Sequence, residues 1–87
     1  MSLIKLRAQL DDVDAELIRL LARRAGIVEQ IWSWKQANGV ERIDPTREAE
    51  LRARLLAQAD ALGLAREAVS KILDQIIGQP LARQAAS

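Results

Sequence analysis

Arg24, Lys35, Arg47, Glu48 and Gln84 are the residues whose types and spacing suit a chemical task. Lys35 follows Arg24 by eleven positions, which on an α-helix is about three turns and about 20° of rotation, so both project to one side with Val28 and Ile31 between them. Arg47 precedes Leu51 and Leu55 at i+4 steps and shares their apolar stripe, with Glu48 beside it. Leu73, Ile77 and Leu81 lead by i+4 steps towards Gln84. Cations, a carboxylate and an amide are thus set on apolar faces of separate segments. Taken singly each has a plain explanation, because long side chains snorkel and a buried Arg can pair with a Glu. Taken together they describe a cationic pocket short of matching carboxylates, and such a pocket calls for an anionic ligand. The planar fork of arginine suits a carboxylate or a phosphate.

The elements that must carry these residues are helices. Leu3, Leu6, Leu10, Val13, Leu17, Leu20, Arg24, Ile27, Ile31 and Trp34 recur at gaps of three and four, a sustained heptad seam. Gly26 alone interrupts it, at a cost of only ~1 kcal/mol. The seam stops at Asn38-Gly39. A first helix from about residue 3 to about residue 37 is roughly 50 Å long. A compact chain of this size has a radius of gyration of about 12 Å and cannot wrap such a helix. The expectation is an oligomer, most simply an intertwined dimer. Residues 40–43 connect to a second helix, with Asp44 as N-cap, Pro45 in the first turn and an apolar stripe of Leu51, Leu55, Ala59 and Leu62 ending at Gly63. A third helix begins near Ala65, buries Val69, Ile72, Ile76 and Ile77, and ends or kinks at Pro80.

Composition narrows the function. A chain of 87 residues is expected to form one domain, 1–87, and this one has no cysteine and no histidine. That removes disulfides, thiolate metal sites, the commonest general base and the usual zinc and iron ligands, so no metal and no cofactor is expected. A net charge of +1 with both signs interspersed does not suggest nucleic acid or an anionic membrane. Charges near the N-terminus stand where a signal peptide has its apolar core, so a cytoplasmic location is expected. Leu, Ala, Arg, Glu and Gln dominate, which is an all-α composition. Arg7 lies seventeen residues before Arg24, roughly 25 Å along the helix and about 100° around it. Taken alone it reads as a solvated residue. In an antiparallel dimer it reaches the pocket of the other chain.

The ordered set Leu6-Arg7, Arg23-Arg24, Lys35, Asp44-Pro45-Thr46-Arg47-Glu48 and Gln84 resembles the all-helical chorismate mutases of the AroQ class. The spacings fit without a gap over almost the whole chain. The resemblance implies an intertwined homodimer of three-helix chains with two active sites, each completed by an Arg from the other subunit, here Arg7. It implies that Arg7 and Arg24 bind the two carboxylates of chorismate, that Lys35 and Gln84 donate to its ether oxygen, that Glu48 and the backbone near Asp44 hold the ring hydroxyl, and that Arg47 lines the wall. It further implies an isomerase of aromatic amino acid biosynthesis. Pro80 departs from the pattern, since better-known members carry a small hydroxyl residue there. Trp32 and Trp34 stand where small residues are common; Trp34 reads as core or dimer seam, and Trp32 either narrows the pocket or packs. An isochorismate-pyruvate lyase, a 4-amino-4-deoxychorismate mutase and a non-catalytic helical dimer are the alternative readings.

Overall fold

The computed structural model describes residues 2–81. It contains α1 (Leu3–Ala37), α2 (Pro45–Ala61) and α3 (Arg66–Ile76), and among the described residues no strand. The chain is all-α, as its composition indicates. The first helix has the length that its seam requires.

Each helix boundary has a local cause. After α1, Gly39 adopts φ 65, the Val40 N–H donates to the Lys35 carbonyl at 2.9 Å and the Gly39 N–H to the Gln36 carbonyl at 3.5 Å. Those paired bonds close the last turn around a left-handed residue, the Schellman arrangement. The end of α2 repeats it: Gly63 has φ 75, and the Leu64 N–H donates to Ala59 at 2.9 Å. At the start of α2, Asp44 is extended (φ −126, ψ 91), Pro45 fills the first helical position, and the Arg47 N–H donates to Asp44 Oδ1 at 3.1 Å. One of the unpaired amides of the first turn is thereby satisfied. Asp44→Ala is expected to lower stability by about 1 kcal/mol, with Asp44→Asn close to wild type, measured by urea denaturation. Equal stability for all three chains would show that the cap does nothing.

The described residues divide into two units. One comprises residues 2–34 with Leu81, and the other is Lys35–Pro80. In the first, Ala25 is buried, and Leu21, Arg24, Val28 and Trp32 are half-buried along one stripe of α1. The heptad seam itself is open: Leu10, Val13, Leu17, Leu20 and Trp34 are each more than half exposed. In the second unit α2 and α3 pack together antiparallel, burying Leu56, Ala59 and Leu73, with Leu51, Leu55, Val69, Ile76 and Ile77 half-buried. The half-buried Arg52 joins the two helices, its Nη1 donating to Ser70 Oγ at 3.0 Å and its Nη2 pairing with Asp74.

Two stripe positions differ from expectation. Ile72 is 60% exposed, because the face α3 turns to α2 runs through Val69, Leu73 and Ile76 instead. Leu62 is 69% exposed, because it is the C-cap of α2 and lies beyond the last turn that continues the stripe. Helix α3 also stops earlier than Pro80. Ile77 is its extended C-cap and Gly78 takes φ 72, so the chain leaves the helix before the proline is reached.

Among the described residues no helix is long and apolar enough to cross a membrane, and no group of three or more His, Cys, Asp or Glu could hold a metal ion.

Candidate active site

Lys35, Asp44, Arg47 and Glu48 belong to one unit, and the start of α2 gathers the last three of them. The cap that orders this turn also fixes its direction. The Asp44 carboxylate holds the Arg47 amide, and the Asp44 carbonyl accepts from the Glu48 amide at 3.0 Å. Asp44 therefore organises the backbone of this turn. The helix N-terminus further favours negative charge at Glu48.

Lys35 sits in the last turn of α1, half-buried, and its Nζ donates to the Arg42 carbonyl at 3.1 Å. That bond ties the end of α1 to the loop leading into α2. An ammonium carries three donors, so one bond to the loop orients the group and leaves two for a ligand.

The Glu48 side chain is half-buried against the end of α3. Among the described residues no hydrogen bond or ion pair engages its carboxylate. Arg47 projects to solvent. Such a turn offers an acceptor at Glu48 and a cation at Arg47, and among the described residues neither is held in an ion pair.

Arg7 and Arg24 lie in the other unit, Arg7 exposed and Arg24 half-buried on the covered stripe of α1. Gln84 lies outside the described residues. Two features of the site region escaped the sequence. The Arg42 carbonyl is a backbone group with no residue-type mark. Gly78 is not marked by the sequence reading, and its place beside Glu48 depends on the register of α2 on α3.

Residues 6–85 match the family described as chorismate mutase type II. The chain belongs to that family. It is similar to a T-protein of Enterobacter agglomerans, 33% identical over 75 residues, which cover 86% of this chain and 20% of that protein. A T-protein of Haemophilus influenzae is 32% identical over 80 residues, covering 91% of this chain and 21% of that protein. The chain thus spans about a fifth of the length of these curated relatives. No solved structure matches it.

Proposed function

We propose that the chain rearranges chorismate to prephenate in a cationic pocket shared between two copies. The reaction is a Claisen rearrangement, in which a C–O bond breaks as a C–C bond forms within one molecule. It consumes no proton and needs no nucleophile. What it needs is the reactive diaxial conformer held still, and donors where the ether oxygen gains negative charge. In this reading Arg24 and the partner subunit's Arg7 take the two carboxylates, and Arg47 lines the wall. Lys35 and Gln84 donate to the ether oxygen. Glu48 accepts from the ring hydroxyl, beside the turn that Asp44 caps.

The observation that carries the reading is the extent of the family match. Residues 6–85 contain all of Arg7, Arg24, Lys35, Asp44, Arg47, Glu48 and Gln84. The second copy is supported by the open seam of α1. Burying a Leu or Val side chain contributes about 1.5–3 kcal/mol, so Leu10, Val13, Leu17 and Leu20 from each of two chains together offset an association cost on the order of 4–15 kcal/mol.

The test is direct. Purified protein is incubated separately with chorismate, isochorismate and 4-amino-4-deoxychorismate. With chorismate, the ultraviolet absorbance of the conjugated ring diene should fall and chromatography should resolve a new isomer of unchanged mass. Release of pyruvate from isochorismate with chorismate untouched would establish the lyase instead. Inertness towards all three would leave a helical dimer without catalysis.

A further inference from the structure

We propose that Gly78 is a positioning residue, whose missing side chain seats the Glu48 carboxylate and leaves its oxygens unclaimed. The inference deepens the reading above and rests on Glu48 as a substrate ligand.

The register of α2 on α3 carries the argument. Arg52 pairs with Ser70 and Asp74, which closes one rung between the antiparallel helices. One turn earlier on α2, and just past the end of α3, the same register brings Glu48 against Gly78. A Cβ placed on Gly78 would lie 2.7 Å from Glu48 Oε1, 3.3 Å from its Cδ and 3.5 Å from Oε2. The carboxylate therefore rests where any other residue would put its side chain. The backbone adds a second restriction, because Gly78 has φ 72, a conformation that L side chains adopt at a cost.

The two rungs make a chemical contrast. At the first, Asp74 neutralises Arg52 and fastens the helices. At the second, a long cation at position 78 would neutralise Glu48 in the same way, and even a methyl group would push the carboxylate aside. Glycine does neither. Because the atom in the way is the far end of a flexible side chain, Gly78→Ala should displace the carboxylate and leave the fold in place.

Gly63 supplies the control. It has φ 75, and a Cβ there would meet nothing within 4 Å among the described residues. Gly63→Ala and Gly78→Ala should therefore lower the melting temperature by similar amounts, since both strain a left-handed position. Only Gly78→Ala should move the Glu48 carboxyl resonance in a 13C-glutamate spectrum, assigned with Glu48→Gln. Only Gly78→Ala should reduce kcat/KM for chorismate, by tenfold or more, and it should add nothing further in a Glu48→Gln background. Should Gly78→Ala fail to fold, Gly78→Asn repeats the test, since Asn tolerates positive φ and still carries a Cβ. An unmoved resonance overturns the proposal, as does a moved resonance with turnover equal to that of Gly63→Ala. If the wild type leaves chorismate untouched, the substrate reading fails, and the resonance still decides whether Gly78 seats Glu48.

Discussion

Lys35→Ala is expected to lower kcat for chorismate by roughly 10²–10³, the effect of removing one donor from a developing oxyanion. The loss should fall on kcat more than on KM, because the ether oxygen gains its charge only as the bond breaks. The geometry makes the substitution interpretable. The Lys35 Nζ contacts the exposed carbonyl of Arg42, and that bond joins a helix end to a loop. Its removal leaves an acceptor that water reaches, so the expected stability loss is about 0.5–1.5 kcal/mol. A folded chain that turns over slowly is thus the predicted outcome. Lys35→Arg should recover little, since a planar fork tied to the same carbonyl presents its remaining donors along different directions. Circular dichroism melts beside steady-state kinetics decide the matter. A kcat within threefold of wild type removes Lys35 from the reaction, and a chain that unfolds makes it a structural tie.

The same residue shows what a sequence can and cannot convey here. Local periodicity carried α1 from Leu3 to its stop at Asn38-Gly39, and cap chemistry carried the start of α2 at Asp44-Pro45. Both are decided within a few positions by backbone amides and side-chain rotation, which neighbouring residue types report. The candidate residues stand out in the sequence for the same reason: a cation on an apolar stripe conflicts with its surroundings, and that conflict is visible without coordinates. Partnership was not legible. That Lys35 would turn to the Arg42 carbonyl depends on how the loop folds back, and that Glu48 would rest on Gly78 depends on the α2–α3 register. Val69, Ile72 and Ile76 also fit a helical repeat, so only packing selects Leu73 over Ile72 for the buried face of α3. A stop at Pro80 comes too late for α3: Ile77 is already extended and Gly78 follows at φ 72, so the chain leaves the helix before proline has to end it.

Mixing two inactive chains should restore activity. An Arg7→Ala chain lacks the arginine it would donate, and a Lys35→Ala chain lacks a donor in its own pocket. Each homodimer has two broken sites. A hybrid dimer has one site with both defects and one with neither, because the intact Lys35 of the first chain meets the intact Arg7 of the second. Random pairing makes half the dimers hybrid with half their sites whole, so co-refolding should yield about a quarter of wild-type activity. The physical basis is the length and surface of α1. Arg7 is exposed and lies roughly 25 Å along the helix from Arg24, too far for one straight helix to bring both to one ligand. The seam between them is open through Leu10, Val13, Leu17 and Leu20, the surface that a second copy of α1 would cover. Mixing without unfolding should give no recovery at first, since exchange requires the seams to part. Sedimentation of the wild type at twice the chain mass is the companion result. An active monomer, or an Arg7→Ala chain with full activity by itself, would sink the shared site. Arg24 would then have to bind the substrate's carboxylates with help from its own chain alone.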